Sequence, residues 1–239
     1  MSAALVQDAL AESQRLGLHV GRVTQQGPAP HPEDVMEPNY DVVLVRAALG
    51  PDGNWVQDLL EMYAIVRTHD LEYYRLNRRE SVGVSVVELE VDDALAGVAD
   101  VFATYRNHWS YDPLIPSFPL VDAYVEWAAA LLKGGGAALA IPSSGERVAG
   151  IAILHRTTSG FDVALAGVRP ASRGEGVYRL LTRGWADWAW AHDAAQVTIS
   201  TESWNRPVIK TWISEGYSAD RSYATYHLIR RAALPLIRN

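Results

Sequence analysis

Apolar positions along the chain change their period, and the changes mark out elements. Between 161 and 168 the run FDVALAGV is almost continuously apolar and of strand length. Past a glycine-bearing turn, Val177, Leu180, Leu181, Gly184, Trp185 and Trp188 recur at i, i+3, i+4, i+7, i+8 and i+11. That is the stripe of a core-facing helix. A short β-rich strand follows over 197–201, then Asn205 and a second, shorter helix ending at Gly216.

The same reading predicts a helix over 2–17, with Leu5, Ala9 and Leu16 on one side, and an irregular linker over 27–38, which holds four prolines. A strand is expected over 40–49, a turn at 51–54 and then a helix of two or three turns bearing Trp55, Leu59 and Leu60. Two short strands follow, at 64–69 and 71–76. Next come a strand over 82–89 and a helix that Asp92 or Asp93 can cap, with Leu95, Val98, Ala99, Phe102 and Tyr105 on its apolar face. Val121, Tyr124, Val125, Trp127 and Ala128 give another helix. Strands at 137–142, 148–156 and 222–229 complete the set.

Two glycines, Gly174 and Gly176, stand between the buried strand at 161–168 and the helix after it. Glycine lets backbone approach a ligand closely. A helix start offers unpaired N–H groups and the positive end of a dipole, which together suit a phosphate. Around them Val168, Pro170, Arg173, Gly174 and Gly176 resemble the acyl-CoA pyrophosphate loop of the GNAT acyltransferase superfamily, Val-x-Pro-x-x-Arg-Gly-x-Gly. Asn205, Val208, Trp212, Gly216 and Tyr217 resemble its second motif, Asn-x-x-Ala-x-x-x-Tyr-x-x-x-Gly-Phe. The two lie in order, about thirty residues apart.

The resemblance implies an α/β (α+β) GNAT fold: a central mixed, twisted sheet flanked by helices. It implies a catalytic domain over 81–239. Residues 1–80 resemble, by element order, the small N-terminal α/β domain of TDP-fucosamine acetyltransferases. An aromatic segment bearing His108, Trp109 and Tyr111 and ending in Asp112-Pro113, then a Tyr-x-x-Trp helix, resembles the same enzymes. Two positions depart from the pattern. Tyr178 stands where a further Gly or Ala is usual, so it crowds the helix start or turns outward to shape the CoA channel. Trp212 stands where a tyrosine often protonates the leaving thiolate, and an indole N–H donates a hydrogen bond but no proton near neutral pH.

Composition narrows the classes. Hydrophobic residues make up 49% of 239, as in a globular chain, and there are no cysteines, so disulfides, thiolate metal sites and a cysteine nucleophile are excluded. No signal peptide or membrane-length apolar run is evident, and the expected location is cytoplasmic. A net charge of −7 disfavours nucleic acid. The seven histidines show no metal-ligand spacing, so no metal is expected.

The implied chemistry is direct acyl transfer from acetyl-CoA, or another acyl-CoA, to a small-molecule amine. The cofactor residues implied are Val168, with an amide facing the carbonyl oxygen, Arg173, Gly174, Gly176, Val177, Tyr178 and Asn205. Candidate bases are Glu202, at a strand's C-terminal end, His108 and Glu126. With Trp212 in the acid position, a water or a tyrosine such as Tyr223 or Tyr226 must protonate the thiolate. Arg75, Arg78 and Arg79 form the densest basic cluster, read either as a solvated linker or as a clamp in which Arg75 and Arg79 hold an anionic acceptor alongside Trp109 and Tyr111. The acceptor is a nucleotide-linked amino sugar, or else an amino acid, a peptide N-terminus or an antibiotic amine. A non-catalytic acyl-CoA-binding module stays open because of Trp212, and a homodimer is admitted.

Overall fold

The computed structural model describes residues 6–24, 39–48, 59–115, 118–143 and 148–237. The chain order is β1 (Gln7–Asp8), α1 (Leu10–Leu16), β2 (Val20–Thr24), β3 (Val42–Ala48), β4 (Tyr63–Asn77), β5 (Val87–Glu88), α2 (Val91–Phe102), α3 (Leu120–Lys133), β6 (Ala137–Pro142), β7 (Val148–Arg156), β8 (Gly160–Val168), α4 (Val177–Ala191), β9 (Gln196–Glu202), α5 (Arg206–Ser214), β10 (Ser218–Arg230) and α6 (Leu234–Ile237). The strands form one mixed sheet in the order β1-β2-β3-β10-β4-β9-β8-β7-β6-β5. Helices α4 and α5 pack on one face through Leu181, Trp185, Ile209 and Trp212. Helices α2 and α3 pack on the other through Val98, Val101, Phe102 and Tyr124. This is the GNAT fold expected from the sequence.

Several expectations change. The two short strands at 64–69 and 71–76 are one strand, β4, broken only by irregularities in its pairing with β10. β4 lies between β10 and β9 and is hydrogen-bonded along both edges, so residues on either side of position 80 share one sheet. The strand expected over 82–89 shrinks to Val87–Glu88. Upstream of it the backbone N–H groups of Val82 and Val84 donate to the Asp187 carboxylate, at 3.0 and 2.9 Å. Val86 presses so closely on α4 that a Cβ on Gly184 would meet it at 2.2 Å. That segment is therefore held across α4 rather than paired in the sheet. Helix α1 begins at Leu10 because Gln7 and Asp8 pair with β2. The residue at the N-cap of α2 is Glu90, with no side-chain cap bond, instead of Asp92 or Asp93. The linker at 27–38, the turn at 51–54 and most of the helix expected to start at Trp55 lie outside the described residues.

One feature of the sheet positions everything else. β8 and β9 are parallel, but their pairing ends at Val163 and Ile199. Beyond it β8 stays with β7 and β9 stays with β4, so the sheet splits open. The register of β8 against β7 skips Ala164 at the same level, a bulge that turns the strand away.

Candidate functional site

A cavity of about 480 Å³ opens from this split. Ala164, Leu165 and Ala166 line it from β8, and Ile199, Thr201 and Glu202 from β9. Strand alternation supplies its floor. Arg46 on β3 lies opposite Thr225 on β10, which lies opposite His69 on β4, and Leu71, two residues on, lies opposite Glu202. These side chains share one face. Helix α1 adds Glu12 and Arg15, the turn after α2 adds His108 and Trp109, and Tyr124 comes from α3.

Tyr178 lines one end of the cavity, and the glycine turn precedes it in the chain; Arg173, Gly174, Gly176 and Val177 are not among the lining residues. Gly174 and Gly176 have φ of +84° and +77°, in the left-handed region, and a Cβ on either would meet nothing within 4 Å. The backbone N–H groups of residues 174–178 donate to no described residue. Free donors on glycines with open space at the start of α4 form a cradle for an anion, so the turn fits the pyrophosphate of an acyl-CoA. Arg173 braces the turn: its Nε donates to the Val168 carbonyl at 3.3 Å. Val168 is not among the lining residues. The free edge of β8 nearest the cavity is at Ala164 to Ala166, because the split starts after Val163. Val168, whose amide is expected to face a carbonyl oxygen, lies beyond that stretch of β8.

Tyr178 and Trp212, the two departures from the sequence pattern, meet. The Trp212 indole N–H donates to the Tyr178 hydroxyl at 3.1 Å. Both side chains line the cavity, and Trp212 is 1% exposed. The phenol accepts from the indole, which leaves its own O–H to point elsewhere. Burial pushes its pKa far up, so it remains a donor. Tyr223 and Tyr226 do not line the cavity. Asn205 does, with its Nδ2 donating to Thr201 at 3.0 Å.

Glu202 is 6% exposed. Burial raises its pKa, against hydrogen bonds from Tyr105, its own backbone and Thr201. Its Oε2 accepts from the Tyr105 hydroxyl, and its Oε1 is 4.0 Å from His69 Nε2. That contact is not an ion pair. Burial, then Arg46 and His227, lower the His69 pKa to about 4, so at neutral pH the ring carries no charge.

His108 lies in a chain that sequence reasoning did not find. Asp112 Oδ2 accepts from His227 Nδ1 at 2.6 Å, and His227 Nε2 meets His108 Nδ1 at 2.8 Å. Asp112 Oδ1 also takes the Leu114 N–H at 2.8 Å. An acceptor carboxylate places a proton on His227 Nδ1, and the two rings share one further proton between His227 Nε2 and His108 Nδ1. Burial, then His227 and Arg46, holds the His108 pKa well below 6.5. Trp109 packs against this chain, 4.3 Å between its ring centre and that of His227, and stacks on Phe118.

The remaining candidates lie elsewhere. Tyr111 is exposed, edge-on to Trp204, and outside the cavity. Glu126 reaches the rim, 63% exposed and paired with Arg15. Arg75 and Arg79 do not line the cavity. Arg75 lies 3.5 Å from Asp220, and Arg79 shares the buried Glu215 with Arg179 and Arg183. Their place near the start of β9, opposite Thr198 in the case of Arg75, is at the far end from Glu202. Among the described residues no His, Asp and Glu cluster is arranged to hold a metal, and no helix is long and apolar enough to cross a membrane.

A family model described as an acetyltransferase (GNAT) domain matches residues 71–201, more than half of the 239-residue chain. A functionally unknown conserved protein from Staphylococcus epidermidis superposes with a TM-score of 0.59 at 12% identity, covering 96% of this chain and 92% of that one. A GCN5-related N-acetyltransferase from Sphaerobacter thermophilus gives 0.55 at 14% identity, over 79% of this chain and 60% of that one. A Drosophila protein gives 0.56 at 17%, over 89% and 72%. These likenesses concern the fold. No curated protein matches the chain. With the family model covering the split strands and the glycine turn together, the chain belongs to the GNAT acetyltransferase family.

Proposed function

We propose that this chain is an acyl-CoA-dependent N-acyltransferase that acylates a small amine by direct attack inside the cavity. The observation that carries the reading is the continuity of that cavity. It runs from Tyr178, beside the glycine turn, past the split of β8 and β9 to a buried carboxyl group, Glu202. Donor and acceptor could then be held together, which supplies much of the rate in such reactions.

Residues 174–178 and Asn205 would hold the acyl-CoA, which supplies an activated carbonyl and leaves as a thiol. Glu202 is assigned as the proton acceptor for the attacking amine. A carboxylate whose pKa burial raises is closer to the working range of a general base than an exposed one. His108, held neutral and far less basic than a free imidazole, is assigned to the cavity wall with Asp112 and His227. Tyr178, with its hydroxyl oriented by Trp212, is assigned as the hydrogen donor to the departing sulfur. A thiol of pKa near ~8.5 needs only modest help.

The acceptor is proposed to be smaller than a nucleotide-linked sugar. Arg75 and Arg79, the expected clamp for such a group, are engaged by Asp220 and Glu215. The test is thiol release from acetyl-CoA against a panel of small amines, run beside calorimetry of acetyl-CoA binding. Turnover that vanishes in Glu202→Gln, with binding kept, supports the reading. Tight binding with no turnover on any amine favours a non-catalytic acyl-CoA module.

A further inference from the structure

The floor of the cavity carries a positive charge with no ion-pair partner among the described residues. Three arginines line the cavity, Arg15, Arg22 and Arg46. Arg15 pairs with Glu126, and Arg22 pairs with Glu12. The Arg46 guanidinium makes no ion pair or hydrogen bond to any described residue; its Nε, like those of Arg15 and Arg22, is shut away from solvent without a partner, and what sets Arg46 apart is that it has no carboxylate. Of the remaining acids around the cavity, Asp162 accepts from Thr198 at 2.6 Å, and Glu202 acts on Arg46 only through space, without an ion pair between them.

Arg46 is not isolated in this respect. Its two neighbours in the same row across the sheet, Thr225 and His69, also bury a polar atom without a partner, Oγ1 and Nδ1. The His69 side chain is 4% exposed. Buried polar groups in native proteins are nearly always satisfied, by protein, water or ligand. Two of this row, Arg46 and His69, stand in the wall of the cavity with Thr225 between them, and together they mark a place built for a partner that no described residue supplies. A guanidinium at its head selects an oxyanion, because its planar fork matches carboxylate and phosphate oxygens.

We infer that the acceptor is an amine that also carries an oxyanion, and that Arg46 binds that oxyanion. The inference rests on the acyltransferase reading above and adds the substrate class. Compactness follows from the geometry. Glu202 and Arg46 stand on one face of the sheet, three strand spacings or about 14 Å apart at the backbone, with His69 on the strand between them and 4.0 Å from Glu202. An acceptor lying between these two side chains, which reach in from strands three apart, is compact, as are an amino acid and an amino-alkyl phosphate.

The experiment compares matched acceptors: small amino acids, their neutral carboxamides, and amino-alkyl phosphates. Each is assayed by thiol release on wild type, Arg46→Lys and Arg46→Met. Wild type should prefer an oxyanion-bearing amine over its neutral partner by roughly ten- to a hundred-fold in kcat/KM, the worth of one charge-assisted pair. That preference should collapse in Arg46→Met and survive in part in Arg46→Lys, with acetyl-CoA affinity retained in both. Preference for carboxylate or for phosphate tells which oxyanion is meant. Equal rates on acid and amide, or a preference that persists in Arg46→Met, would overturn the inference while leaving the acyltransferase reading intact. If no amine turns over, titration of acetate, methyl phosphate and sulfate into the acetyl-CoA complex decides separately. Binding lost in Arg46→Met upholds the oxyanion site, and absence of binding in wild type overturns it.

Discussion

Replacing Tyr178 by Phe removes one oxygen atom and tests two consequences of a single hydrogen bond. In the native protein the Trp212 indole N–H, on a side chain 1% exposed, donates to that oxygen at 3.1 Å. The variant leaves a buried donor unpaired, which costs about 1–3 kcal/mol. For a chain of this size each kcal/mol moves Tm by roughly 2–4 °C, so Tm should fall by roughly 2–12 °C. Trp212→Phe removes the donor, and the double variant removes both partners. A double-mutant cycle should then show a coupling of about 1–2 kcal/mol. Catalysis supplies the second measurement. A well-placed acid is worth roughly 10²–10⁴-fold, but a thiolate is a tolerable leaving group, so kcat in Tyr178→Phe should fall by only about ten- to a hundred-fold. Trp212→Phe should also lower kcat, because the hydroxyl loses its orientation. Scanning calorimetry gives the first quantity, and thiol release at saturating acceptor the second. An unchanged Tm with additive single variants would refute the hydrogen bond. A lowered Tm with unchanged kcat would refute the role as proton donor and leave Tyr178 as packing alone.

Four further outcomes are expected. Gly174→Val with Gly176→Val should abolish acetyl-CoA binding by calorimetry, since both glycines sit at positive φ and the added side chains fill open space in front of the free amides; unchanged affinity would remove the turn from the site. Glu202→Gln should cost roughly 10²–10⁴ in kcat, and the wild-type acid limb of kcat/KM should lie above the ordinary carboxylate value of 4.5, because burial raises this pKa; a limb at or below 4.5 would contradict the assignment. His69 has a folded pKa of about 4 against 6.5 for a free ring, so its contribution to stability is whole above 6.5 and is lost as pH falls towards 4. That amounts to roughly 3 kcal/mol, and urea denaturation of His69→Gln should show a correspondingly flatter acid limb. Arg75→Ala should leave the acceptor KM where it was, because Arg75 faces Asp220 outside the cavity; a raised KM would return it to the site.

What the sequence disclosed was local. The glycine turn and the helix after it could be read because both signals, positive-φ glycines and a 3.6-residue apolar stripe, lie within consecutive residues. The meander of β6, β7 and β8 was legible for the same reason. The floor of the cavity was not. His108 and His227 are 119 positions apart, and Asp112 and His227 are 115 apart. Nothing in either segment states that β10 slots between β3 and β4. A signal was present all the same. Arg46 interrupts the run VVLVRAA, and His227 interrupts an otherwise apolar stretch of β10. A charged or titratable residue inside a strand too apolar to be an edge must have a partner or a task. Arg75 and Arg79 show the converse, since density of charge along the chain says nothing of which carboxylates fold against it, here Asp220 and Glu215. The strand expected at 82–89 failed because its amides found the Asp187 carboxylate instead of a neighbouring strand.

The position of β10 also bears on how the protein is made. On a ribosome β3 and β4 are synthesised long before β10, yet in the finished sheet they do not pair with each other: β10 takes the space between them and pairs with both. A nascent chain holding β3 and β4 must keep two apolar strands from closing on each other, leaving a gap for a partner still to be translated. Pairings of such long sequence separation form slowly and expose unpaired edges meanwhile. His227 arrives with that same strand, so the histidine chain behind the cavity and the joining of Arg46 to His69 are completed together, in the step that closes the sheet.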